Sequence, residues 1–488
     1  MQLPSSVFKR MDKALLVMYA LFICLGLVCV YEASYVEGQK SLFDFDYRSG
    51  MQVAWIGVCL FAAVLIVNTK SLVFYQWSYV VYWGMMALLL LTIFIAPNIK
   101  GSHSWIVIGG FSVQPAEFAK FATSLALAYY FENTSSNVGS GSERRWSIIG
   151  GIILLPILLI LLQKETGSAL VFLSLVLMLY REGLSPYYLL VGFMSILVFV
   201  LTIRFSLDEQ MFFTYHFGQF LSLLVITTVG VLIYGNYPKL GSKVRLWHIF
   251  CMLILSLAVG VLLNLIGVGV DLFYLLLLIS IAFVVWQLVM FFDGLRRQYI
   301  WIAAFVVGFL LYSFSSEMIF EKVLEPHQKI RIETLLGLKE DPKGAEWNTN
   351  QSKIAISSGG FFGKGFMKGT QTKLKFVPEQ DTDFIFCTIA EEWGLMGSLV
   401  VLGLFFSFIW RILTLSERSS SVFTRVYGYC VAGIFTFHLL VNVGMVIGIL
   451  PVIGIPLPFF SYGGSSLLSF TILLFIFIKL DMTSKVNM

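Results

Sequence analysis

Apolar runs of about twenty residues follow one another along almost the whole chain, and that recurrence leaves few folds open. A helix that crosses a bilayer needs roughly 20 mostly apolar residues. Runs of that length begin near residues 13, 51, 75, 114, 148, 166, 187, 213, 247, 270, 298, 383, 423 and 463, which makes about fourteen candidate spans. Only 12% of the 488 residues are charged and 58% are hydrophobic, whereas a soluble domain carries about 25% charged residues. The expected fold class is therefore an all-α polytopic membrane protein. The first run, Ala14 to Tyr31, follows Lys9, Arg10 and Lys13 without an A-x-A cleavage pattern, so it reads as an uncleaved helix. Polar residues from Gln163 to Thr166 interrupt one apolar stretch, as at a broken or tightly turned helix pair.

The placement of basic residues predicts orientation. A cytoplasmic N-terminus puts Lys9, Arg10, Lys13, Lys70, Arg144, Arg145, Arg181, Arg411, Arg418, Arg425 and Lys479 on the inside. The short outside gaps then hold little beyond Lys40, Arg48, Lys100 and Lys164. Both termini are expected in the cytoplasm, with segment 316–382, Asn98 to Val113 and Pro451 to Tyr462 outside. No soluble domain of any size is visible, so 1–488 reads as one integral membrane domain. Runs between about 213 and 315 carry almost no chemistry beyond Asp271 and read as scaffold or partner surface. The six cysteines and five histidines are scattered without metal-type spacing.

Chemistry is concentrated in four polar stretches. The longest hydrophilic passage starts at Glu325 and closes on Asp383, where the next apolar run begins. Long connections between packed elements are uncommon and usually functional. Its glycines, among them Gly359, Gly360, Gly363 and Gly365, allow close backbone approach to a ligand. Its cations, among them Lys329, Arg331, Lys353, Lys364 and Lys368, suit an anion such as a diphosphate. Asp383 is also an ordinary acid for the start of a helix. A second stretch runs from Gly101 through Trp105 to Gln114-Pro115-Ala116-Glu117-Phe118-Ala119-Lys120, where Glu117 and Lys120 share a helix face. They form either a structural ion pair or the lining of a polar cavity at membrane depth. The third is Gln163-Lys164-Glu165-Thr166-Gly167-Ser168. The fourth, from Asn442 to Ser466, contains Pro451, Pro456 and Pro458, does not continue a helix, and is expected to re-enter the bundle as a cavity wall.

These stretches resemble the signatures of the shape, elongation, division and sporulation proteins, the RodA/FtsW/SpoVE (SEDS) family. SWIVIGGFSVQPAEFAK is similar to the family's RWI-x-LG…QPSE-x-AK, QKETGSALV to QPDLGTALV, and DTDFIFCTIAEEWG to HTDFIF…EELG. SSGGFFGKG and GTQTKLKFVPE lie nearer the RodA branch. The motifs align in order from about residue 20 to 480. The sequence departs from the pattern at Ser104, which stands for the family Arg, and at Gln163-Lys164-Glu165-Thr166-Gly167, which stands for QPDLG and puts Glu165 in place of the Asp, with Lys164 supplying a positive charge nearby. The family's usual ten spans become about fourteen here, and the four extra helices are expected within 205–315.

The resemblance implies a peptidoglycan glycosyltransferase of the bacterial cytoplasmic (inner) membrane. Such an enzyme polymerises lipid II, an undecaprenyl-diphosphate-linked disaccharide-peptide, outside the membrane during cell elongation and cell-shape maintenance. Its implied partner is a class B penicillin-binding protein acting as transpeptidase; no nucleic acid is implied. Segment 316–382 becomes the extracytoplasmic catalytic loop, with Asp383 as general base for the acceptor hydroxyl. Trp105, Glu117, Lys120, Lys329, Arg331, Gln351, Lys364, Gln371, Ser461 and Ser465 are the expected substrate contacts. A cationic side chain or a divalent cation (Mg or Mn) near the diphosphate would stabilise the leaving group. Two rivals fit the same spans: a lipid II flippase, since intramembrane charges and broken helices suit transporters, and a scaffold for the transpeptidase.

Overall fold

The structure, a computed structural model, describes residues 11–35, 41, 43–99, 101–108, 111–135, 142–205, 214, 216–235, 243–294, 296–322, 324, 326–339 and 345–484. Contacts divide the chain into two compact units, Met1–Leu184 with Lys343–Met488, and Ser185–Pro342.

The first unit begins with α1 (Lys13–Ser34), α2 (Arg48–Asn68), the short α3 (Ser71–Gln76) and α4 (Ser78–Ile95). A small antiparallel hairpin of β1 (Ile106–Ile108) and β2 (Phe111–Val113) follows, the one departure from an all-α chain among the described residues. Then come α5 (Pro115–Ser135), α6 (Ser142–Leu162), α7 (Thr166–Val171) and α8 (Leu175–Arg181). The expected break at Gln163 is a tight turn: Lys164 adopts a left-handed φ of 61°. Gln163 is fully buried and donates from Nε2 to the Leu89 carbonyl at 2.8 Å.

The second unit holds α9 (Pro186–Arg204), α10 (Phe217–Gly235), α11 (Lys243–Leu265), α12 (Leu272–Gly294), α13 (Arg297–Lys322) and α14 (Pro326–Leu335). It is wider than the 205–315 segment expected to be extra, because Met194 and Val198 of α9 share a core with Ile226, Val231 and Val306. Hydroxyls stitch this apolar unit together. Ser222 and Ser313 lie 2.7 Å apart, and Thr227 and Ser280 also 2.7 Å. Helix α13 runs past the expected loop start at 316, since its buried stripe of Val306, Phe309, Ser313 and Ser316 continues to Phe320.

The first unit resumes with α15 (Ala345–Gly359), α16 (Thr370–Lys373), α17 (Ile385–Glu417), α18 (Val422–Ile447) and α19 (Gly464–Ser484). The hydrophilic passage is thus largely helical. Helix α17, at 33 residues, is about 50 Å long and breaks at Gly394, which has φ 69° and ψ −164°. The backbone groups freed by that break pair with the passage: Leu395 and Met396 amides donate to the Gly360 and Phe361 carbonyls at 3.0 and 3.1 Å.

Each of the fourteen expected segments carries a helix. Eleven helices are long and apolar enough to cross a membrane, among the described residues. The segment at 166 gives a short apolar helical stretch, Thr166–Arg181, the segment at 247 gives α11 with a short apolar part, Ile249–Leu265, and the segment at 114 gives the more polar α5. Large apolar side chains such as Phe94, Leu162 and Phe406 lie on the surface, as lipid-facing side chains must.

Because successive helices of the first unit run in alternate directions, its two ends differ. One end collects ion pairs: Arg411 with Asp12 at 2.6 Å, Arg425 with Glu182 at 3.0 Å, Arg181 with Glu417 at 2.8 Å, and Arg418 with Asp481 at 3.2 Å. The opposite end gathers the polar stretches. Between them lies a core of rings in which Phe459 sits 5.5 Å from Phe435, 5.8 Å from Phe22 and 6.0 Å from Phe470. Phe459 belongs to the proline-rich stretch and holds a left-handed φ of 66°, so that stretch does plunge into the bundle. Gly26 makes room for it, since a Cβ there would stand 2.2 Å from the Phe459 carbonyl oxygen.

Candidate active site

The proline-rich stretch 451–463 is the wall against which the other polar stretches assemble. Asp381-Thr382-Asp383 lies along it through three backbone anchors. The Tyr462 amide donates to the Asp381 carbonyl at 2.7 Å, and Ser461 Oγ donates to the Thr382 carbonyl at 2.6 Å. Asn442 Nδ2, from α18, donates at 2.8 Å both to the Asp383 carbonyl and to the Ile455 carbonyl. Ser461 Oγ also accepts from the Leu457 amide at 2.8 Å, which fixes the wall's own turn. The Asp383 carboxylate consequently faces Gly454: a Cβ at that glycine would stand 3.4 Å from Asp383 Oδ2. Gly454 has φ +80°, a conformation in which a side chain is strained.

Asp383 is half-buried and stands one residue before the α17 N-cap, Phe384, so it is not itself the cap. It still lies at the positive end of a helix, which favours the ionised form. Asp381, two residues earlier, pairs with Arg48 at the start of α2, and the Arg48 guanidinium sits 5.5 Å from the Tyr462 ring centroid. Burial pushes the Tyr462 phenol above its usual range, against the pull of the nearby Arg48 charge.

The stretch holding Trp105 reaches the same wall by two routes. Lys120 is 2% exposed; its Nζ donates to Glu117 at 2.7 Å and to His438 Nε2 at 3.0 Å. His438 Nδ1 is 3.1 Å from the Pro456 carbonyl, which only accepts, so the ring is the neutral Nδ1–H tautomer. A polar relay thus runs Glu117–Lys120–His438–Pro456. Ser469 Oγ adds a 2.6 Å bond to the Glu117 carbonyl. In the second route, Ser104 Oγ donates to Glu165 Oε2 at 3.1 Å, and Gly167 packs on the wall, where a Cβ would meet the Ile453 carbonyl at 2.9 Å. Two of the positions that depart from the motifs, Ser104 and Glu165, therefore touch each other. A hydroxyl–carboxylate bond stands where the pattern has an Arg and an Asp. Trp105 itself is half-buried beside this contact.

The cations of the hydrophilic passage are placed differently from one another. Lys364 pairs with Glu391 at 2.7 Å, and Glu391 also accepts from the amides of Thr370, Gln371 and Thr372 at 2.8, 2.9 and 2.9 Å. This fully buried carboxylate staples residues 364–372 to α17. Gln371 is in the staple through its backbone, with Oε1 buried and unpartnered. Gln351 lies half-buried on α15, next to Ser352, whose Oγ donates to the Val446 carbonyl at 2.8 Å. Ser465 is buried at the start of α19. Lys329 and Arg331 belong to α14 in the other unit, where Lys329 Nζ lies 5.2 Å from the Phe320 ring centroid. Among the described residues no group of three His, Cys, Asp or Glu could hold a metal ion.

A bundle of membrane-length helices, with an acid at the mouth of a re-entrant wall and a buried Glu–Lys–His relay behind it, defines a polytopic membrane protein with a polar site at one end. The sequence model of the FtsW/RodA/SpoVE family, described as "Cell cycle protein", matches residues 12–224 and 218–486, and the chain belongs to that family. It is 32% identical over 463 residues to the peptidoglycan glycosyltransferase RodA of Treponema pallidum (strain Nichols), covering 93% of this chain and 94% of that one. Over 180 residues, 37% of this chain and 47% of the relative, it is 42% identical to the peptidoglycan glycosyltransferase MrdB of Escherichia coli (strain K12). Its fold is shared by a chain solved in work on "Structural coordination of polymerization and crosslinking by a peptidoglycan synthase complex", with TM-score 0.60, 21% identity, and 97% and 98% of the two chains covered. The rod shape determining protein RodA of Thermus thermophilus shares it with TM-score 0.54 and 21% identity, over 96% of each chain.

Proposed function

We propose that this chain is a peptidoglycan glycosyltransferase that polymerises lipid II on the outer face of the bacterial cytoplasmic membrane, in cell elongation and the maintenance of cell shape. The observation that carries the mechanism is the position of Asp383: a carboxylate at a helix N-terminus, on a backbone anchored by Tyr462 and Ser461 of the wall and by Asn442 of α18, and facing Gly454, which has no side chain. Asp383 takes the proton of the acceptor sugar hydroxyl as the new glycosidic oxygen attacks and the lipid diphosphate leaves. The helix end keeps the carboxylate ionised but lowers its basicity, so positioning supplies much of the acceleration. Trp105, Gln351, Ser461 and Ser465 border the same end and are the proposed sugar contacts. Lys120 and Glu117 act from behind, holding His438 and through it Pro456. Lys364 is balanced by Glu391 and orders the loop, so the diphosphate falls to another cation of the passage.

In this reading the end carrying Arg181, Arg411, Arg418 and Arg425 is cytoplasmic, as are both termini, following the positive-inside rule. Residues 316–382 lead to the outer active site, the extra helices lie within the second unit, and a class B penicillin-binding protein cross-links the product. The relatives' names favour glycosyl transfer over lipid flipping or scaffolding. The test is polymerisation of lipid II by purified protein. Wild type should give long glycan strands, and Asp383→Asn should fold and bind substrate but form none. Strands of normal length from Asp383→Asn would refute the assignment.

A further inference from the structure

Beside Asp383, at the same end of the first unit, lies a cavity of about 400 Å³ whose walls include Ser34, Asp46, Arg48, Lys375, Glu379 and Asp381. Ligand sites usually enclose roughly 300–1,000 Å³. The cavity lies where spans end, since α1 stops at Ser34 and α2 starts at Arg48, which suits a water-soluble ligand rather than an acyl chain. Charges of both signs surround it. Lys375, Asp46 and Glu379 are exposed, and the Arg48 side chain is 49% exposed even though it pairs with Asp381.

Two features mark the wall as more than a solvated cleft. Gln380, another lining residue, is 4% exposed; its Nε2 donates to the Ala33 and Thr372 carbonyls at 2.6 and 2.7 Å, whereas its Oε1 is buried without a partner. Buried acceptors without a partner are uncommon, and this one lies in a residue that lines the cavity. In addition, Lys375 and Glu379 hold left-handed φ values of 54° and 51°, a strain that side-chain-bearing residues keep where surrounding structure imposes it, often at functional sites.

We propose that this cavity is a subsite for a peptide bearing both a free ammonium and carboxylates. On the glycosyltransferase reading, on which this rests, the ligand is the stem peptide of lipid II. Asp46 would receive the ammonium, and Lys375 and the outer edge of Arg48 the carboxylates. Asp381 links the subsite to the reaction centre: it lines the cavity, its carbonyl is held by the wall, and Asp383 follows two residues later, about 7 Å along the chain. Peptide seated here would orient the sugar it is attached to.

The test is binding of soluble disaccharide-pentapeptide, against the same disaccharide without peptide, to full-length protein in phosphatidylglycerol nanodiscs. Two exposed charge contacts predict about tenfold tighter binding of the peptide-bearing ligand. Lys375→Glu and Asp46→Lys should each cut that preference about threefold, and the double variant should abolish it. Lys375→Gly removes the charge while relieving the left-handed strain, so it should raise thermal stability yet still lose preference. Lys375→Arg should retain it. Equal affinity for the two ligands in wild type, or an unchanged preference in the double variant, overturns the proposal. So does displacement of the peptide ligand by glycerophosphoethanolamine, which would assign the cavity to a lipid headgroup. Wild-type protein that polymerises no lipid II would overturn the catalytic reading instead, while the binding comparison still decides the subsite.

Discussion

Replacing Asn442 with alanine tests whether Asp383, the proposed catalytic carboxylate, depends on a side chain buried in the bundle. Asn442 is completely buried, and its amide nitrogen bridges the Asp383 and Ile455 carbonyls at 2.8 Å each. Alanine removes both bonds and leaves two buried carbonyls short of a donor. A buried group stranded in this way costs about 1–3 kcal/mol, so the pair should lose about 2–6 kcal/mol in all. Part of that is lost from the fold. The part felt at Asp383 appears only when the acceptor hydroxyl must meet the carboxylate, and each 1.4 kcal/mol or so is tenfold in rate. Initial rates of lipid II polymerisation should therefore show kcat falling about 10- to 100-fold with KM within about threefold. Asn442→Asp, which turns an acceptor toward two acceptors, should be worse than alanine. A thermal melt run in parallel separates the two effects. If Asn442→Ala melts lower yet turns over within about twofold of wild type, Asn442 is packing alone and its positioning role is wrong.

Other perturbations follow from the same geometry. Gly454→Ala, forced into φ +80° against the Asp383 carboxylate, should cost about 1–3 kcal/mol and slow polymerisation, whereas Gly454→Asn, which tolerates that region, should be milder in the melt. Lys120→Met strands Glu117 as an uncompensated buried charge and should destabilise by about 3–5 kcal/mol. Adding Glu117→Gln should recover much of that stability; a double variant as unstable as the single would contradict the ion-pair account. Glu391→Gln removes the charge that pairs with Lys364 and turns one of the two acceptor oxygens into a donor, so that the amides of Thr370, Gln371 and Thr372 can no longer all be satisfied. Limited proteolysis should then cut between residues 360 and 373 at least tenfold faster, since a hydrogen bond to a charged group is worth about 1.5–3 kcal/mol. Equal cleavage rates would show that the loop is held by something else.

The apolar periodicity of the chain was enough to locate every membrane-length helix, because the bilayer rather than the tertiary fold dictates their length. It was enough, too, to single out Asp383, the proline-rich stretch and the Gln163 turn, since each interrupts an apolar run and backbone or charge at that depth must be accommodated. What the residues in line did not reveal is who faces whom. His438 looked like one of five scattered histidines until the bundle placed it between Lys120 and Pro456, partners 318 and 18 residues away. Lys364 read as a cation for substrate until folding joined it to Glu391. The extent of the second unit was likewise set by packing, as α9 buries its stripe against α10 and α13. Local sequence governs which segments cross the membrane because hydration is a property of each residue; the fold alone governs which polar groups lose their water together, and an active site is made of those.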